Sequence, residues 1–162
     1  MSGKETPAVI ALRRAKLDHR VHDLGEEGVP DDDRGYGLAA AAAIDVAAER
    51  IFKTILVQHD RLAVAIVPVT TTVDLKAVAK ALGVKKVAVA KPADAERSTG
   101  MVVGGISPIG QRKRLDTVLD DSAMDHERVF VSGGRRGLEL ELAPAALVEA
   151  TKATVARIRR ED

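Results

Sequence analysis

The stretch Ser98-Thr99-Gly100-Met101-Val102-Val103-Gly104-Gly105-Ile106-Ser107-Pro108-Ile109-Gly110 holds four glycines and a proline within thirteen residues. Glycine accepts backbone dihedrals closed to other residues and lets a ligand come close. Such a loop can turn several N–H groups into one cavity and hold a phosphate or a developing oxyanion. On glycine content alone, a tight bend between strands fits equally well. Lys53 is a second signal, because it interrupts the apolar run Ile51-Phe52-Lys53-Thr54-Ile55-Leu56-Val57. An ammonium there is costly unless it is paired or faces a cleft. An inward lysine near a glycine-rich turn suggests an anion site; a side chain snorkelling to solvent from a strand end is the alternative. A third is Phe130-Val131-Ser132-Gly133-Gly134-Arg135-Arg136-Gly137, a strand leading into a glycine turn with one hydroxyl and two guanidinium groups. That set suits phosphate or carboxylate, and also a plain hairpin with solvated arginines. Directly after the glycine stretch, Gln111-Arg112-Lys113-Arg114 is a basic run of the kind usually found on a solvated face, but its location suits RNA phosphates.

Other chemistries find little support. The chain has no Cys, which excludes disulfides, thiolate metal sites and a protein thiol nucleophile. His19, His22, His59 and His126 show no metal-ligand spacing and complete no identifiable Ser-His-Asp set. Gly35-Tyr36-Gly37-Leu38-Ala39-Ala40 imitates a dinucleotide fingerprint, yet an acidic loop rather than a strand precedes it. Neither a metal nor a cofactor is expected. Lys and Arg total 25 against 24 acidic residues, which excludes the uniformly basic surface that coats DNA, so any RNA contact must be local. The sequence has no secretory h-region and no uncharged apolar run long enough for a membrane helix, and a cytoplasmic protein is the simplest expectation.

The elements that must position these groups follow from periodicity and punctuation. A length of 162 residues fits one domain spanning the chain, and 46 % apolar residues with only 2 % aromatics predict a core of Ala, Val, Leu and Ile. Pro7 opens a helix whose apolar stripe is Val9, Ile10, Leu12 and Leu17, and a short strand is expected over residues 20–24. Residues 25–37, rich in Gly, Pro and acid, read as an exposed loop that could serve as a lid. A helix over 38–49 runs into a strand over 51–57, with further strands over 62–69 and 85–90. Between those two strands, Asp74 caps a helix that ends at Gly83. Strands near 129–131 and 138–142 precede a last helix from Pro144. Short strands without a clean βαβ repeat predict an α+β fold, a mixed, mostly antiparallel sheet or small barrel surrounded by helices.

These segments together resemble the YbaK/EbsC family of aminoacyl-tRNA deacylases, related to the editing domain inserted in bacterial prolyl-tRNA synthetases. The resemblance runs from Thr6-Pro7-Ala8 through Phe52-Lys53-Thr54, Asp74-Leu75-Lys76, Ser98-Thr99-Gly100, Gly104-Gly105-Ile106-Ser107-Pro108 and Gln111-Arg112-Lys113-Arg114 to Val131-Ser132-Gly133-Gly134-Arg135-Arg136-Gly137. It implies a pocket for the aminoacylated terminal adenosine of tRNA. The family's essential lysine falls on Lys53, and its Gly-x-x-x-Pro motif on Gly104 to Pro108, including Gly105. Tyr36, Thr54, Ser107, Ser132, Arg135 and Arg136 fall on substrate-binding positions, and Arg112, Lys113 and Arg114 are expected against RNA. Hydrolysis of misacylated tRNA is implied, Cys-tRNA(Pro) foremost, with the substrate thiol as nucleophile and prolyl-tRNA synthetase as a partner. Lys53 would fix the terminal nucleotide, while N–H groups around Gly104 polarise the ester carbonyl. Other misacylated tRNAs, cleaved with a ribose hydroxyl and water, are the alternative. A non-catalytic tRNA- or synthetase-binding module and a small-molecule anion binder are the rivals from other classes. Leu24 and Met101 stand where aromatics are usual, which implies weaker base stacking.

Overall fold

The computed structural model describes residues 5–25 and 36–161. Helix α1 (Pro7–Arg14) starts where Thr6 adopts extended dihedrals and its hydroxyl accepts from the Val9 N–H, with Pro7 at the first helical position, where a missing N–H costs nothing. The same hydroxyl donates to the Gly133 carbonyl, so the cap also ties α1 to a distant turn. Val9 and Leu12 are buried, whereas Leu17 lies beyond the helix end and only packs against the core. Strand β1 (Arg20–Asp23) follows, and the acidic loop expected over 25–37 falls largely outside the described residues. Helix α2 (Tyr36–Ile44) is shorter than predicted. The chain leaves it at Asp45, in a left-handed conformation, and tightens into a 3-10 turn at Ala48–Arg50.

Strands β2 (Phe52–Gln58) and β3 (Leu62–Pro68) form an antiparallel hairpin in continuous register, followed by β4 (Thr72–Val73). Helix α3 (Leu75–Leu82) has the expected ends: Asp74 accepts from the N–H groups of Lys76 and Ala77, and Gly83 closes it at φ 75°. The strand expected over 85–90 shrinks to β5 (Ala88–Val89). Helix α4 (Pro92–Thr99) was not legible in the sequence. It takes Ser98 and Thr99 out of the glycine loop, and Gly100 ends it at φ 76°. Strand β6 (Thr117–Asp120), also unpredicted, is buried throughout. After it come β7 (Val129–Ser132), β8 (Leu138–Leu142), α5 (Pro144–Thr151), β9 (Thr154–Ala156) and β10 (Arg159–Arg160).

The larger sheet runs β5-β2-β3-β6-β9 and a second runs β1-β8-β7, with β4 and β10 paired separately. Most pairings are antiparallel, β3-β6 and β6-β9 being parallel. The expected mixed α+β architecture therefore holds, but the sheets stay open and no barrel closes. Among the described residues, an isolated bridge between Ile51 and Phe130 joins the two main sheets. The main core, built on Leu12, Phe52, Leu56, Ile66, Leu119, Leu140 and their neighbours, is aliphatic as the composition required. A smaller one around Val57, Val67, Val78 and Val118 packs α3 onto the five-stranded sheet.

Candidate active site

Strand β2 has β3 along one edge for its whole length, but on its other edge it meets β5 only at Val57 and Gln58 and β7 only through Ile51. Between these attachments, among the described residues, the edge of β2 has no strand partner. A cavity of about 470 Å³ opens there, in the size range of small-molecule sites. Residues 51–56 form one wall, Val89, Ala90, Pro92 and Ala95 a second, and Val103, Gly104 and Ile106 a third, with Ser132 and Glu139 contributed by the other sheet.

Lys53, Thr54, Gly104 and Ser132, far apart in sequence, thus share one cavity. Lys53 is half-buried and forms no ion pair among the described residues. Burial pushes its ammonium below the usual lysine range, because a partly buried charge loses hydration. The Thr54 hydroxyl is buried without a hydrogen-bond partner among the described residues, an arrangement that favours a ligand or water able to satisfy it. Ser132, at the end of β7, accepts from the Gly134 N–H at 3.2 Å, which orients its hydroxyl oxygen.

The glycine loop sorts its own donors. The Val103 N–H donates to Glu96 at 2.8 Å, the Gly105 N–H to the Val102 carbonyl at 2.9 Å, and the Ser107 N–H to the Met101 sulfur at 3.3 Å. Gly104 and Ile106 remain, two cavity-lining residues whose N–H groups make no hydrogen bond among the described residues. A Cβ on Gly104 would meet nothing within 4 Å, so its φ of 96° rather than space demands glycine. At Gly105 space decides, because a Cβ would lie 2.6 Å from the Arg136 nitrogen and 2.8 Å from Arg135 backbone atoms.

Several expected site residues lie elsewhere. Gly105 supports the loop from behind and Ser107 is wholly buried, its hydroxyl accepting from the Ile109 N–H at 3.2 Å. Pro108 lines a separate hollow together with Lys113 and Arg114. Arg135 pairs with Asp23 at 3.0 Å, and neither it nor Arg136 lines the cavity. The Arg112 guanidinium rests on Gly100, where a Cβ would come within 3.2 Å of its Nε. Tyr36 opens α2, but its side chain lies outside the described residues. Leu24 and Met101 do not line the cavity either. Leu24 packs against the small apolar cluster that contains Ile51 and Phe130, and Met101 is buried in the main core, so both departures from the aromatic pattern fall on packing positions. No acid is legible beside the site in the sequence, yet Glu139, only 1 % exposed, lines it. The alternation Leu138-Glu139-Leu140-Glu141-Leu142 was its one signal: the leucines face the main core and the glutamates the opposite side.

A model of the aminoacyl-tRNA editing domain matches residues 38–150, the segment that carries every residue lining this cavity except Gly37. The chain belongs to the aminoacyl-tRNA editing domain family. A relative of this editing domain in Enterococcus faecalis (strain ATCC 700802 / V583), EbsC, named as a candidate Cys-tRNA(Pro)/Cys-tRNA(Cys) deacylase, is 33 % identical over the full length of both chains. Two crystal structures share the fold. One, described as a candidate trans-editing enzyme for prolyl tRNA synthetase, has a TM-score of 0.86 at 21 % identity, covering 99 % of each chain. The other, the protein APE2540, has a TM-score of 0.83 at 25 % identity over 96 % of this chain and 100 % of that one. Among the described residues of the editing domain, no helix is long and apolar enough to cross a membrane, and no group of three or more acidic or His residues is placed to hold a metal.

Proposed function

We propose that the protein is a trans-editing deacylase that releases cysteine from Cys-tRNA(Pro), acting in the cytoplasm beside prolyl-tRNA synthetase. The observation that carries this reading is the pair of uncommitted N–H groups on Gly104 and Ile106 opposite a desolvated, unpaired Lys53 in one cavity. Lys53 binds an anionic or ribose oxygen of the terminal nucleotide, which fixes the ester at the glycine loop. The two N–H groups then receive the charge that develops on the carbonyl oxygen; each such preorganised donor is worth roughly 100-fold or more in rate. The nucleophile is the substrate's own thiolate, because the chain has no cysteine and a thiol of pKa about 8.5 is already a few per cent ionised near neutrality. A carbon–sulfur bond forms as the ester carbon–oxygen bond breaks, and the ribose oxygen leaves with the proton the thiol gave up. Water then opens the cyclic thioester to free cysteine.

A second reading rests on Glu139: a carboxylate in the cavity wall can act as general base for water and would extend hydrolysis to alanyl or seryl esters. Single-turnover hydrolysis of tRNA(Pro) bearing cysteine, S-methylcysteine, serine or alanine separates the two. Thiol assistance predicts that the cysteinyl ester is cleaved fastest and that S-methylation abolishes the advantage. Equal rates for the free and methylated thiols, with loss of activity in Glu139→Gln, would put the water mechanism in its place.

A further inference from the structure

We propose that the hollow lined by Pro108, Gln111, Lys113, Arg114 and Thr151 is a phosphate subsite for the RNA backbone just upstream of the esterified nucleotide, an inference that rests on the deacylase reading. Its volume of about 220 Å³ is many times the roughly 10–15 Å³ that admits one water, so a phosphate enters with part of its hydration. Lys113 and Arg114 are exposed and make no ion pair or hydrogen bond among the described residues, unlike Arg135, which Asp23 neutralises. Asp116 and Glu149 are close in sequence to lining residues, yet neither lines the hollow nor pairs with these cations. The C-terminal turn of α5 contributes Ala150 and Thr151, and its carbonyl end favours nearby cations without supplying a full countercharge. Two unneutralised cations over a polar hollow are an anion site.

The position of the hollow identifies the anion. Ile106 lines the cavity and Pro108 lines the hollow, so the two walls are joined by two residues, at most about 7 Å of chain. An ester carbonyl held at Gly104 and Ile106 therefore places the preceding nucleotides of the same strand within reach of Lys113 and Arg114. The basic run at residues 112–114 divides accordingly: Lys113 and Arg114 read the backbone, while Arg112 braces the end of α4 across Gly100.

The test is a Lys113→Gln/Arg114→Gln double variant, with Lys76→Gln/Lys80→Gln on the exposed side of α3 as a charge-matched control. Binding of uncharged tRNA is measured across a salt series, and KM is compared for aminoacyl-tRNA and for the same amino acid esterified to adenosine alone. The expected result is about ten-fold weaker tRNA binding at low salt and a slope of log affinity against log salt smaller by roughly one unit, as loss of one or two backbone contacts requires. The ratio of KM for aminoacyl-tRNA to KM for the adenosine ester rises by a similar factor, and the control changes none of these. An unchanged slope, or equal KM increases for both esters, overturns the subsite. A parent protein inert on both esters would remove the deacylase reading instead, and the salt series with uncharged tRNA would still decide the hollow.

Discussion

At the scale of single residues, Lys53 separates function from stability. Its ammonium is partly desolvated, lacks a partner among the described residues, and titrates below the usual lysine range. The sign follows: with a folded pKa below the unfolded one, the unfolded chain binds more protons between the two values, so burial of Lys53 costs stability at neutral pH and the cost fades as pH rises. Lys53→Met, which keeps the stem and removes the charge, is expected to melt at the same temperature or higher while deacylation falls by about 100-fold, the scale of one lost electrostatic contact to a transition state. Thermal melting and single-turnover rates on the same preparation check this. Activity within a few-fold of the parent would remove Lys53 from the mechanism.

At the scale of elements, Asp120 fixes the end of β6 to the C-terminal segment. Its wholly buried carboxylate accepts from the N–H groups of Ile158 at 2.9 Å and Arg159 at 3.0 Å, from the Arg159 guanidinium at 3.0 Å, and from Ser122. Burial alone would raise its pKa, but these donors outweigh burial and hold it below the usual carboxylate range. Stability from this group is therefore present above the unfolded value of about 3.9 and lost as pH falls through the lower folded value. Asp120→Ala is expected to cost about 1–3 kcal/mol, because it leaves two backbone N–H groups without their acceptor, while Arg159 keeps Asp121 at 2.7 Å and Glu161 at 3.3 Å. In Asp120→Asn, urea midpoints should also vary less between pH 5 and pH 2 than in the parent, a measurement that isolates the ionised form. Midpoints that track the parent across that range would show that the carboxylate's charge contributes nothing.

At the scale of the whole molecule, a net charge of +1 supplies little long-range attraction to RNA, so recognition rests on the cavity and its immediate surroundings. A chain of this length reaches little beyond the acceptor end of tRNA. A cysteinylated acceptor-stem minihelix is accordingly expected to be hydrolysed within a few-fold of full-length Cys-tRNA(Pro), and Cys-tRNA(Cys) at a comparable rate unless prolyl-tRNA synthetase is present to direct the enzyme. Parallel single-turnover assays with and without the synthetase test this. A loss of more than 100-fold on the minihelix would require contacts well outside the acceptor end.

The sequence by itself determined the elements whose signals are local. Asp74 and Gly83 bracket α3, Pro144 opens α5, and the leucines of β8 alternate at the period of a strand, because caps and side-chain periodicity act within a few residues. It also singled out Lys53, Gly104 and Ser132, whose chemistry is anomalous in an apolar or glycine-rich setting, and the resemblance of their motifs set the family. Tertiary structure alone decided what each did with its surroundings. It showed that β6, a buried four-residue strand with parallel partners on both sides, completes the larger sheet, and that β5 withdraws to leave the edge of β2 open. It brought Glu139 to the cavity and withheld Arg135, Ser107 and Pro108 from it. Those outcomes depend on which strand edge is left unpaired and which side of a sheet another segment covers, quantities set by residues about thirty to eighty positions apart and therefore absent from any local pattern.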